Sequence, residues 1–164
     1  MFTDDLLRVS GSHTAVPAVY VDGAPSAVPA GQETIANGNN VSTDTIDLGA
    51  LLRDVGEGKP LYMVWTVTVA FTRAAGALNT TFQILNDDDP ALGSPVILAA
   101  SAAIPKADLV VGKQIVLQIP PQIAGLGLRY LGANVSNDAA ADTGRVCCDI
   151  VETIEDGKKF YTGA

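Results

Sequence analysis

From residue 61 onward, apolar and polar positions alternate with a period of two. Leu61, Met63, Trp65, Val67, Val69 and Phe71 share one phase; Tyr62, Val64, Thr66, Thr68 and Ala70 share the other. Successive side chains of a strand point to opposite faces, so this pattern predicts a β-strand. The first face is uniformly apolar and is expected in the core, while the threonines of the second mark a wetter side. A turn at Gly76 and a returning strand over 78–85 predict an antiparallel hairpin partner. Phe82 and Ile84 alternate with Gln83 until Asn86, Asp87, Asp88 and Asp89 stop the strand. Short polar side chains bond their own backbone and favour turns. Pro90 cannot donate to a ladder, and Pro95 marks a restart.

Further strands are predicted over 95–101, 114–119, 127–135 and 145–152. In the second of these, Ile115, Leu117 and Ile119 oppose Gln114, Val116 and Gln118, and Pro120-Pro121 ends it. In the third, Leu128 and Tyr130 oppose Arg129, Leu131, Ala133 and Val135; in the last, Val146, Cys148 and Ile150 share a core face. Lys106–Gly112 and Asn137–Gly144 read as a loop and a polar turn.

The N-terminal quarter is different. Residues 1–14 are polar apart from Leu6 and Leu7 and read as an arm. Residues 15–21 have strand character, but Pro17 restricts them to an edge or an extended arm. Residues 22–44 hold Asp22-Gly23, Pro25, Pro29 and Asn37-Gly38-Asn39-Asn40 and are expected to be a long loop reaching a neighbour. A brief helical turn is expected over 48–54, ended by Gly56, Gly58 and Pro60. The tail from 155 is polar except for Phe160 and Tyr161. About eight turn-separated strands predict an all-β sandwich or barrel, and no helix is long enough for a βαβ crossover. The organisation is one domain: an arm and extended loop over 1–44, a sandwich over 45–155 and a tail over 156–164.

Charge and candidate chemistry narrow the function. The formal net charge of −8 argues against nucleic acid as a direct partner and fits solubility or docking on a basic surface. No apolar run approaches the roughly 20 residues of a membrane helix. Acids at Asp4 and Asp5 stand where a signal peptide needs basic residues, so folding in the cytosol of the cell that makes the protein is expected. Cys147 and Cys148 are adjacent; in a strand they point to opposite faces, which predicts reduced thiols.

Asp87, Asp88 and Asp89 offer hard oxygens for Ca²⁺ but lack the spacing of an EF-hand loop, so a solvated turn is the simpler reading and no cofactor is expected. His13 is the only histidine and sits in the N-terminal segment, a poor place to hold a catalytic base. One histidine and two adjacent cysteines do not make a zinc site. Gly56-Glu57-Gly58-Lys59 lacks P-loop spacing. Trp65 lies on the predicted core face, which suits packing better than a sugar platform. These readings point away from an enzyme. Arg129-Tyr130 suits either a pair with an acid across the sheet or an interface, where Arg and Tyr are favoured.

Several segments together resemble one family. Ser42-Thr43-Asp44-Thr45-Ile46-Asp47-Leu48-Gly49, the Val67–Phe71 strand, Phe82–Pro95 with its acidic cluster, and Arg129-Tyr130-Leu131 resemble, in order and spacing, the Bbp16-type capsid cement (decoration) proteins of tailed bacteriophages. The resemblance spans roughly residues 42–152. It implies a jelly-roll sandwich that binds the outer surface of an icosahedral head as a homo-oligomer, a dimer or trimer, and reinforces contacts between major capsid proteins. It supplies no catalytic residues. Interface candidates are Phe2, Leu6, Leu7, Arg8, Arg129, Tyr130, Phe160 and Tyr161. The alternatives are a carbohydrate-binding or adhesin-type sandwich on the virion, which needs an exposed aromatic pair, and an enzyme of sandwich fold, which needs two convergent carboxylates.

Overall fold

Two antiparallel sheets pack face to face in the computed structural model, which describes residues 8–10, 32–49, 60–121 and 126–152. Eleven strands are described: β1 (Arg8–Ser10), β2 (Gln32–Glu33), β3 (Gly38–Val41), β4 (Ile46–Asp47), β5 (Tyr62–Thr72), β6 (Asn79–Asp87), β7 (Val96–Ala100), β8 (Ile104–Pro105), β9 (Gln114–Gln118), β10 (Tyr130–Asn137) and β11 (Thr143–Val151). In the first sheet β11 lies between β5 and the edge shared by β1 and β2, and β9 flanks β5. In the second, β10 lies between β6 and the edge shared by β3 and β4, and β7 and β8 share the far side of β6.

The core lies where the inward phases meet. Met63, Trp65 and Val67 of β5 face Phe82 and Ile84 of β6; Leu131, Ala133, Val135, Val146, Cys148 and Ile150 complete it. The Trp65 and Phe82 rings meet edge-on across the sheets, centroids 5.8 Å apart at 62°. The predicted core phase of β5 holds except at Val69, which is only half-buried. There the ladder slips: Arg145 pairs with Val69 but Val146 pairs with Val67, so Thr68 is an extra residue that breaks the alternation. Cys148 is fully buried, as its phase predicts, and burial pushes its thiol pKa well up. Cys147 is also buried, and both thiols are free.

The structure corrects several expectations. Residues 61–71 and 78–85 are not a hairpin. β5 and β6 belong to opposite sheets, and the Gly76 turn carries the chain across the sandwich. Alternation shows which face of a strand is buried but not which strand it bonds, and two apolar faces can meet face to face without sharing an edge. The third predicted strand is displaced: β10 runs on through Ser136 and Asn137, and Arg129 precedes it.

The 22–44 stretch is not all loop, since β2 and β3 lie in it, one in each sheet. Its asparagines are used by the ladder. Asn40 Nδ2 donates to the Val135 carbonyl at 2.9 Å, and Asn134 Nδ2 donates to Asn39 Oδ1 at 3.0 Å. Residues 8–10 of the expected arm are likewise a strand, paired with Cys148 and Asp149. The predicted segment 15–21, residues 50–54 of the helical turn expected over 48–54, His13 and the Gly56–Lys59 stretch lie outside the described residues.

Asn137 ties the early strands to the second sheet. It is buried, and its Nδ2 donates to the carbonyls of Thr34 (2.7 Å) and Ala36 (3.1 Å), while its Oδ1 accepts from Thr80 Oγ1 (2.8 Å). The segment between β2 and β3 is held on the other side by the first sheet, where the Thr34 N–H donates to the Gly144 carbonyl at 3.0 Å.

Candidate functional site

The end of the sandwich opposite the Gly76 turn gathers the sequence's candidate residues. Register places Tyr130 of β10 between Asp47 of β4 and Asp87 of β6, and Val96 of β7 opposite Asn86. Arg129, one residue before β10, forms a two-pronged pair with Asp47: Nε donates to Oδ1 and Nη2 to Oδ2, each at 2.6 Å. Both side chains are a little under half exposed. The guanidinium also lies 5.3 Å from the centroid of the Tyr130 ring, in reach of a cation–π contact. The Leu48 N–H donates to the Arg129 carbonyl at 2.9 Å, fixing the chain just past β4. Of the two roles considered for Arg129, pairing with an acid across the sheet is the one seen.

Asp47 accepts from Arg129 and from the Gly49 N–H, and these bonds hold its pKa at about 2, below the usual 3.8. A depressed carboxylate adds stability above its unfolded pKa and loses that contribution as pH falls through its folded one. Urea midpoints of the wild type should therefore fall between about pH 4 and pH 2. Asp47→Asn should show a shallower fall over the same window. Identical slopes for the two proteins would contradict this account of the pair.

The acidic turn is built from the same kind of bond. Asp87 is buried; its Oδ2 accepts from the Ser94 N–H at 2.9 Å and its Oδ1 from the Asp89 N–H at 3.2 Å. The Ser94 bond is the main cause of its lowered pKa. Asp89 Oδ1 accepts from the Ala91 N–H at 2.9 Å, and Asp88 is exposed. Two of the three Ca²⁺ candidates thus serve as caps for loop backbone. No group of three or more metal-ligating side chains occurs among the described residues.

Between these caps the loop folds back over the outer face of the second sheet. Leu92 adopts a left-handed conformation, φ 53°, rare for a leucine, yet its side chain is buried. It fills the space above Gly132 on β10, where an added Cβ would stand 2.5 Å from Leu92 Cδ1 and 3.1 Å from Ser42 Oγ. Gly132→Val should lift Leu92 and cost about 1–3 kcal/mol by overpacking. Thermal unfolding gives the cost, and faster protease cleavage near Leu92 would report the displaced loop. An unchanged melting temperature would contradict the packing role.

Three of the five large apolar side chains exposed among the described residues lie at this same end: Val96 (45%), Ile97 (53%) and Leu126 (50%). Sequence reasoning did not single them out. The available signal was the unbroken run Val96-Ile97-Leu98, which on an edge strand must leave one face uncovered. Nor did it identify Asp47 as the acid that pairs with Arg129. Of the predicted interface residues, Arg129 and Tyr130 lie here. The backbone of Arg8 is in β1, opposite Asp149. Phe2, Leu6, Leu7, Phe160 and Tyr161 lie outside the described residues. No helix among the described residues is long and apolar enough to cross a membrane.

A search of curated proteins returned no match. The family model for Bbp16, a phage-associated family, matches residues 28–148. The match begins upstream of the quoted motifs, so β2 and β3 lie within it, and it ends at the Cys148 position of β11. With most of its length matched, including ten of the eleven described strands in whole or part, the chain belongs to the Bbp16 family.

Proposed function

We propose that this protein is a cement protein of a phage head. It binds the outer surface of an icosahedral shell, as a homo-oligomer, and reinforces contacts between major capsid proteins without catalysing a reaction. The observation that carries this reading is membership of the phage-associated Bbp16 family. The strand order supports it. If β1 with β2, β3 with β4, and β7 with β8 are each taken as one interrupted strand, eight positions form two four-stranded sheets. Merged β1/β2, β11, β5 and β9 make one sheet, and merged β3/β4, β10, β6 and β7/β8 the other; with that merging the order fits a jelly roll, a fold frequent in viral shells.

The chemistry of the described residues fits a structural part. Several of their carboxylates are engaged in caps and pairs, as at Asp47, Asp87 and Asp138, where Asn79 donates from both its backbone and its side chain. The glycan-binding alternative asks for exposed aromatic rings. Among the described residues Trp65, Phe71 and Phe82 are buried, and Tyr62 and Tyr130 are half-buried.

The reading is tested on shells of the parent phage stripped of this protein. Adding it back should raise the temperature at which the shells lose their packaged DNA. No change, at a concentration that saturates the shell, would defeat the reinforcing role.

A further inference from the structure

The two ends of the sandwich differ in charge as well as in apolar exposure. Among the described residues, the exposed acids at the β6–β7 end are Asp47, Asp88, Asp89 and Glu152; the bases are Arg129, already paired with Asp47, and Arg8 of β1, whose backbone lies opposite Asp149. At the Gly76 end, Arg73, Lys106, Lys113 and Arg145 stand among a similar number of acids, Glu33, Asp108, Asp138 and Asp142. Lys106 Nζ donates there to the carbonyls of Arg73 (2.7 Å) and Gly76 (3.0 Å), so part of this positive charge closes the turn. The remaining exposed apolar pair, Val110 and Val111, sits in the turn beside the far half of β5, where the Lys113 N–H donates to the Val110 carbonyl. Among the described residues the β6–β7 end is thus both the more acidic end and the one that carries Val96, Ile97 and Leu126.

We propose that the β6–β7 end is the docking face, and that its partner is a shell subunit presenting an apolar surface rimmed by lysine or arginine. This rests on the cement reading. Single exposed apolar residues are ordinary on a protein surface; an apolar group flanked by charge of one sign is a recognition pattern. The sign selects the partner. A second copy meeting this end would set like charges against each other, and anionic lipid or nucleic acid would be repelled in the same way. The rigid caps on Asp87 and Asp89 and the seated Leu92 hold the turn in place before contact, which reduces the ordering cost of binding.

The test measures occupancy on stripped shells of the parent phage for three full-length variants, each checked for a wild-type melting curve. Two alter the proposed face: Asp88→Lys with Ile97→Lys, and Leu126→Lys alone. One alters the opposite end: Val110→Lys with Val111→Lys. The first should weaken binding by roughly tenfold or more, the second by less, and the third should match the wild type. Added salt should weaken wild-type binding and affect the Asp88→Lys, Ile97→Lys protein less. Wild-type occupancy for both face variants, or a loss confined to the Val110 and Val111 variant, would overturn the assignment while leaving shell binding intact. A face variant that only dissolves an oligomer, with its occupancy retained, would make this end a contact between copies and also overturn it. If the wild type itself fails to bind, the cement reading falls, and this inference with it.

Discussion

Trp65→Ala is expected to lower the unfolding free energy by about 3–5 kcal/mol, the usual cost of removing a buried aromatic side chain. Trp65 has no exposed surface and sits within β5, opposite Cys148 of β11 on one side and Ile115 of β9 on the other. It also meets Phe82 edge-on, so the substitution empties the space where the two sheets touch. Its indole N–H finds no acceptor among the described residues. That separates volume from polarity: Trp65→Phe keeps a ring and removes the unpaired donor, and should cost well under half as much as the alanine variant. Small domains are stable by only about 5–15 kcal/mol, so Trp65→Ala should be easy to see in urea unfolding. A loss below about 1 kcal/mol would contradict the central place of this contact.

Asn137→Ala is expected to have the next largest effect, about 2–4 kcal/mol, because it strands buried partners as well as removing a side chain. The Thr34 and Ala36 carbonyls and the Thr80 hydroxyl would lose their bonds to the amide. Thr34 and Thr80 are fully buried, so solvent can replace those bonds only if the structure opens. Asn137→Asp is the informative companion. It keeps the size and the acceptor for Thr80 but cannot donate to the two carbonyls, and it should be about as damaging as alanine at neutral pH. The loss should be local: hydrogen exchange is expected to rise first around the segment between β2 and β3, where the Thr34 and Ala36 carbonyls lose their bonds to this amide. Uniform exchange across both sheets would contradict that.

How much of this was legible beforehand depended on which physical signal each residue carries. The inward phases of β5, β9 and β11 were readable because burial on one face imposes alternation, and Trp65 and Cys148 lie where that rule puts them. Partner choice was not, because β5 bonds to β11 and β6 to β10 through backbone hydrogen bonds whose addresses leave no mark on composition. The bulge at Thr68 broke the alternation at Val69 for the same reason. The Asn-rich segment 37–40 read as turn from local preference. Its asparagines instead bond across strands to residues nearly a hundred positions away, a tertiary override that local preference cannot register. At the candidate face, Arg129 and Tyr130 stood out by type, and an acid across the sheet was one of the two roles considered for Arg129. Asp47 itself, 82 positions away, was not identifiable until register placed it beside Tyr130. The left-handed Leu92 was invisible, since its conformation is held by the cavity above Gly132 and not by its own preference.

The cement reading is tested most directly by co-sedimentation of the purified protein with bare shells of the parent phage, read as copies bound per shell. The account predicts saturation at a fixed number that matches a set of symmetry-related shell positions. Absence of binding by well-folded protein, or binding that rises without a plateau, would contradict it.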